Sequence, residues 1–178
     1  MEAGSDGEGK GATFVVRLPV SPLRSTSLPP AKPVSRRGDA HLELQCPPEL
    51  EGLHVLVCED EPDARELIAS VLAGCKATVT VAASVAEALD RFAETIPDVI
   101  ISDIGMPEAS GYELIRRIRA LPAEKGGRVP AVALTAYASM ADRTRALMEG
   151  FQNHVAKPTE PQELLAAVAA LAGRFGRS

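Results

Sequence analysis

The sequence predicts a doubly wound α/β domain, with a five-stranded parallel sheet in the order 2-1-3-4-5 and five helices packed around it. Three observations predict it. From about residue 50 onward, short runs rich in Val and Ile alternate with longer stretches of helical period, the pattern of successive βαβ units. The run Val99-Ile100-Ile101 is apolar without alternation, as a strand covered on both faces should be. Helix-opening pairs recur between the runs: Ser84 with Glu87, Ser139 with Asp142, and Thr159 with Gln162.

Taken in order, Leu53 to Cys58 reads as the first strand. Pro62 suits the first turn of a helix, where a missing N–H costs nothing, and Leu67, Ile68, Val71 and Leu72 repeat at helical spacing up to Gly74. Ala77 to Val81 is the second strand. The helix opened by Ser84 turns Ala88, Leu89 and Phe92 inward and ends before Pro97. The third strand delivers Asp103 at its carboxyl end. After Gly111 a helix places Leu114, Ile115 and Ile118 inside and Arg116, Arg117 and Arg119 outside, on a solvated face. Pro130 to Thr135 is the fourth strand, and a helix opened by Ser139 stops at Gly150. Asn153 to Ala156 is a short fifth strand, followed by a last helix reaching about Ala172.

The chain has 178 residues, 46% hydrophobic and 24% charged, enough for one soluble domain with a core of its own plus a tail. Residues 1–13 are Gly-rich, and Thr13 to Leu18 reads as one short strand closed by Pro19. From residue 21 to residue 50 the prolines at 22, 29, 30, 33, 47 and 48 interrupt any hydrophobic period, so this stretch reads as a flexible linker. The net charge of −5 falls entirely within residues 51–178. An acidic body argues against direct nucleic-acid binding, which calls for clustered Lys and Arg. The longest apolar run, Leu164 to Ala172, is far short of the about 18 residues that suggest a membrane span. The start shows no signal-peptide pattern, and the chain reads as cytoplasmic. Cys46, Cys58 and Cys75 form no CxxC pair, and their odd number suits free thiols in a reducing compartment.

In a doubly wound sheet, ligands sit outside the carboxyl ends of the strands. The first end presents Glu59, Asp60 and Glu61, the third Asp103, the fourth Thr135, and the fifth Lys157 followed by Pro158. Adjacent strands bring Asp60 and Asp103 together. Two like charges about 4 Å apart repel by about 4 kcal/mol at an effective dielectric of 20, so such a cluster needs a neutralising partner. A hard divalent cation such as Mg²⁺, which takes few carboxylates, fits an all-oxygen set, and Lys157 adds a further positive charge. A metal held by acids beside a spare carboxylate, a hydroxyl and a lysine suits phosphoryl transfer onto that carboxylate. Asp103 is then the nucleophile.

Residues 52–174 resemble the receiver domain of two-component response regulators, which has a flavodoxin-like fold. The resemblance rests on Val57-Cys58-Glu59-Asp60-Glu61-Pro62, on Asp98 to Ser102 with Asp103-Ile104-Gly105-Met106-Pro107, on Ser110-Gly111-Tyr112-Glu113-Leu114, on Ala133-Leu134-Thr135-Ala136 and on Lys157-Pro158. It implies that Asp103 accepts a phosphoryl group from a phosphohistidine. It further implies that Asp60 ligates Mg²⁺ directly, with Glu59 acting through water and the carbonyl of Gly105 as another ligand. The Lys157-Pro158 bond would be cis, and Thr135 and Lys157 would contact the phosphoryl oxygens. Partners implied are a histidine kinase or histidine phosphotransfer protein and a phosphorylation-dependent dimer. Glu59 stands where the family more often has Asp, and His154 where its switch aromatic stands. Gly7-Glu8-Gly9-Lys10-Gly11-Ala12-Thr13-Phe14 and Arg17-Leu18-Pro19 resemble the end of a histidine-kinase ATP-binding domain. The whole would then be the tail of a hybrid sensor kinase: a kinase remnant over 1–20, a linker over 21–50 and a receiver over 51–178.

Three rival functions meet specific residues. A metal-dependent phosphatase of similar sheet would resemble a pattern with a second Asp two positions after the nucleophile, where this sequence has Gly105. A nucleotide-binding fold needs glycines at the first strand end, and Glu59-Asp60-Glu61 would repel a pyrophosphate. An inactive docking domain would not need Asp60, Asp103, Thr135 and Lys157 together.

Overall fold

The computed structural model describes residues 2–4, 13–15, 45–136 and 140–174. The chain divides into two compact units, 1–40 and 41–178. In the first, Glu2–Gly4 pairs antiparallel with Thr13–Val15, with Ala3 opposite Phe14. The strand expected at Thr13 therefore has a partner, supplied by residues that read as a polar segment. Arg17 to Pro19, most of the linker stretch and the Ser139 cap lie outside the described residues.

The second unit carries five parallel strands: β1 (His54–Cys58), β2 (Thr78–Ala82), β3 (Val99–Asp103), β4 (Ala131–Thr135) and β5 (Asn153–Ala156). They lie in the order β2-β1-β3-β4-β5. The helices between and after them are α1 (Pro62–Gly74), α2 (Val85–Glu94), α3 (Gly111–Arg119), α4 (Met140–Glu149) and α5 (Pro161–Arg174). The last begins one residue later than a Thr159 cap would put it, with Pro161 in the first turn.

Side chains alternate across the strands and divide the core in two. Val55, Val57, Ile101, Val132 and Leu134 pack under α1 and α5 against Ile68, Val71, Leu72, Leu164, Leu165 and Val168. Leu56, Cys58, Ile100, Ala131 and Ala133 face Ala88, Phe92, Leu114, Ile115 and Ile118 of α2 and α3, and Ala146 of α4. At the start of α2, Ser84 Oγ accepts from the Glu87 N–H at 3.2 Å, while the Glu87 carboxylate accepts from the Ala83 N–H at 2.9 Å. This capping box closes one residue further back than the usual form.

Four expectations change. Leu67, one of the apolar positions of α1, is 53% exposed, because the sheet-facing stripe is carried by Ile68, Val71 and Leu72. Arg119 does not lie on a solvated face: its guanidinium donates to the carbonyls of Gly150 and Gly127 and to Gln152 Oε1, tying α3 to the turn that ends α4. Burial lowers its pKa. Cys46 and Cys75 are joined by a disulfide, leaving Cys58 as a buried free thiol. Residues 48–50, read as linker, form a 3-10 turn whose Leu50 is fully buried in the α1 and α5 layer. Among the described residues, no helix is long and apolar enough to cross a membrane.

Candidate functional site

The site is built at the carboxyl edge of the sheet, where β1, β3, β4 and β5 end. Glu59 and Asp60 follow β1 directly. The Glu59 N–H donates to the Ala82 carbonyl at 3.1 Å, so the strand-end pairing with β2 continues one step into the loop. On the other side, Arg65 Nη1 donates to the carbonyls of Glu59 at 2.7 Å and Asp60 at 3.1 Å. Asp103 is the last residue of β3. Its Oδ1 accepts from the Gly105 N–H at 2.9 Å, and the following Ile104 N–H donates to the Leu134 carbonyl at 3.0 Å.

Gly111 lets α3 approach this strand end. A Cβ placed there would lie 2.2 Å from the Asp103 carbonyl oxygen and 2.7 Å from Ser102 Oγ, so only glycine fits. Thr135 closes β4 and is buried. Its carbonyl accepts from the Lys157 N–H at 2.8 Å, and the Lys157-Pro158 peptide is cis, as the resemblance implies. His154 pairs with Ala133 across β4 and β5, on the same sheet face as Thr135. It is half-buried.

One carboxylate oxygen each from Glu59, Asp60 and Asp103 lies within 4.8 Å of the other two. Lys157 Nζ sits between two of them, 2.8 Å from Glu59 Oε1 and 2.8 Å from Asp103 Oδ2. It is also 2.7 Å from Glu59 Oε2, yet that buried oxygen lacks a properly directed hydrogen-bond donor. Proximity and direction disagree here, and direction decides: one ammonium bonds well to Oε1 and leaves Oε2 with unused lone pairs. Burial pushes the Glu59 carboxyl up from its ordinary range, the Lys157 hydrogen bond opposes this, and the Asp103 charge adds to it. Burial draws Lys157 down, but its hydrogen bonds to Asp103 and Glu59 win and its pKa is raised. The Cys58 thiol beneath is pushed up to about 12, chiefly by burial and then by the charges of Glu59 and Asp103.

Three acids sharing one lysine leave net negative charge in a partly buried place, and the donors are all oxygen. That set fits a hard divalent cation and not zinc, which prefers nitrogen and sulfur. The structure brings together Glu59, Asp60, Asp103 and Lys157, with Gly105 and Thr135 at the adjoining strand ends. Sequence reasoning missed Arg65 and the reason for Gly111. An Arg one turn into the helix after an acidic loop was a visible signal for the first, whereas the second needs the α3-to-β3 approach.

A five-stranded parallel sheet in this order, with acids and a lysine gathered at its carboxyl edge, defines a CheY-like flavodoxin fold. The family profile described as response regulator receiver domain matches residues 55–169. The chain belongs to the response regulator receiver domain family. It is similar to an uncharacterised 14.6 kDa protein of Leptolyngbya boryana, 44% identical over 67% of this chain and 89% of that one. A hybrid signal transduction histidine kinase of Dictyostelium discoideum is 36% identical over 62% of this chain and only 7% of its own length. Regulator of RpoS from Escherichia coli is 33% identical over 62% of this chain and 32% of its own. Among solved structures, the chemotaxis response regulator CheY4 of Vibrio cholerae superposes with a TM-score of 0.63 at 27% identity, covering 67% of this chain and 98% of that one. The receiver domain of a signal transduction histidine kinase from Syntrophus aciditrophicus gives 0.64 at 28%, covering 71% of this chain and 95% of that one.

Proposed function

We propose that this receiver accepts a phosphoryl group from phosphohistidine onto Asp103 in a Mg²⁺-dependent reaction and thereby switches its binding to another protein. The observation that carries the reading is Lys157 Nζ, held at 2.8 Å from both Glu59 and Asp103 beside a third acid. In the transfer, an Asp103 Oδ attacks phosphorus, the P–N bond breaks, a P–O bond forms and the donor imidazole leaves with its electron pair. Asp60, Glu59, Asp103 and the Gly105 carbonyl are the groups that would hold Mg²⁺. When bound, the ion neutralises the equatorial oxygens of the phosphoryl group.

Lys157 supplies the second positive charge, and its raised pKa keeps it protonated. Its salt bridge to Asp103 also orients the carboxylate, with the Gly105 N–H holding the other oxygen. Thr135, at the end of the neighbouring strand, donates its hydroxyl to a phosphoryl oxygen. Its displacement is passed to the start of α4 and to His154 on the same sheet face, so that two conformations exchange population.

The donor is a histidine kinase or a histidine phosphotransfer protein, and the phosphorylated domain dimerises or binds a protein target. Because such donors are charged from ATP, the reaction belongs in the cytoplasm, where the Cys46–Cys75 bond is exposed to reduction. Residues 1–20 read as the end of a kinase ATP-binding domain, which makes the chain the tail of a hybrid kinase with 21–50 as linker. That a hybrid signal transduction histidine kinase of Dictyostelium discoideum is similar to part of this chain supports that arrangement.

Intact mass measured after incubation with Mg²⁺ and acetyl phosphate tests the reading. One phosphoryl adduct is expected on the wild-type chain, absent with EDTA and absent in Asp103→Asn. An adduct that persists in Asp103→Asn would overturn it.

A further inference from the structure

Resting on the reading of Glu59 and Asp60 as metal-holding acids, we infer that Arg65 is a positioning residue, which sets the turn that aims both carboxylates at Asp103. The key observation is that one guanidinium nitrogen reaches two consecutive carbonyls, Glu59 at 2.7 Å and Asp60 at 3.1 Å. Along a strand, successive carbonyls point to opposite sides. Two that converge on one donor require the chain to leave the extended form at that dipeptide.

The same dipeptide is fixed from the other side by the Glu59 N–H bond to Ala82. Arg65 is itself anchored, its N–H donating to the Glu61 carbonyl at 2.9 Å at the start of α1. The loop is thus clamped between the end of β2 and the first turns of α1. Both guanidinium contacts go to backbone, and no carboxylate pairs with Arg65 among the described residues. The charges acting on Glu59 are those of Lys157 and Asp103. Arg65 therefore shapes the loop without consuming a carboxylate oxygen that a cation would use. A planar guanidinium suits the task because its donors are fixed in direction, so the turn it holds is fixed too. A group that orients ligands from behind governs metal affinity more than the chemical step.

The test uses the full chain as wild type, Arg65→Ala and Arg65→Lys. Three quantities are measured: the Mg²⁺ dissociation constant by calorimetric titration, the metal-free melting temperature, and the rate of adduct formation from acetyl phosphate at saturating Mg²⁺. Arg65→Ala is expected to weaken Mg²⁺ binding about tenfold or more, the range typical of groups that orient metal ligands. Its rate at saturating Mg²⁺ should stay within about twofold of wild type, and Arg65→Lys, which keeps a donor but loses its fixed direction, should recover only part of the affinity. Should Arg65→Ala not fold, Arg65→Lys against Arg65→Gln carries the same comparison, with Gln expected to bind more weakly.

Wild-type Mg²⁺ affinity in Arg65→Ala overturns the inference while leaving the proposed function intact. A loss of melting temperature with unchanged affinity does the same, since it marks a purely structural arginine. A wild-type chain that binds no Mg²⁺ overturns the proposed function, and this inference with it.

Discussion

The two ends of one sheet are treated in opposite ways. At the amino end polar groups are paired: the His54 N–H donates to Asp98 Oδ2 at 2.8 Å, the His54 ring meets Thr80 Oγ1 at 2.8 Å, and the disulfide and Leu50 seal the layer below. At the carboxyl end three acids share one lysine, and a buried Glu59 oxygen has no directed donor. The same backbone pattern supports both, so the difference lies in what each end is for. One end is closed and holds the fold together, whereas the other keeps unbalanced charge in place, which on the proposed reading a bound cation balances.

Substitutions can break this contrast or sharpen it. The largest effect is expected from Gly111→Ala, which drives a methyl group into the Asp103 carbonyl. Unfolding in urea should show a loss of about 4 kcal/mol, and wild-type stability would mean that α3 can retreat from β3 without cost. Next comes the amino end. The disulfide closes a loop of 29 positions, and reduction should cost about 3 kcal/mol while leaving Mg²⁺ binding unchanged. Parallel alkylation should find no reactive thiol in the native oxidised chain at pH 8, because Cys58 is buried with a pKa of about 12. Its folded pKa lies above the unfolded value near 9, so the stability it lends is complete below pH 9 and falls away as pH rises toward 12. The smallest effect sharpens the contrast most: Asp60→Asn should raise metal-free stability by about 1 kcal/mol and abolish the gain that Mg²⁺ gives the wild type. A variant less stable than wild type without metal would show that the acidic end holds no stored repulsion.

The strands and the acidic strand ends were legible because each signal is local. A continuous Val-Ile-Ile run, a proline in a first helical turn and a Ser with Glu three positions on all state their meaning within a few residues. The convergence of Asp60, Asp103 and Lys157 followed once the strand order was assumed. What stayed hidden depends on distance through space. Helical period sends Arg119 outward, but from the last turn of α3 its long side chain reaches the Gly150 carbonyl. The spacing of Cys46 and Cys75 carries no trace that the incoming chain runs past the end of α1. Arg65 drew no reading at all, since its partners are backbone carbonyls and only its place one turn into the helix after an acidic loop hints at them.

The disulfide also has a mechanical meaning. With Cys46 bonded to Cys75 just beyond α1, a pull on the chain ahead of residue 46 bears on the end of a helix and bypasses the 3-10 turn at Pro48–Leu50. With the bond reduced, the same pull loads that turn and the buried Leu50 directly, and then β1, the strand that ends at Glu59 and Asp60. Which element first receives force arriving along the chain, the end of α1 or the turn that leads into β1, thus depends on two sulfur atoms at the end of the sheet opposite the acidic site.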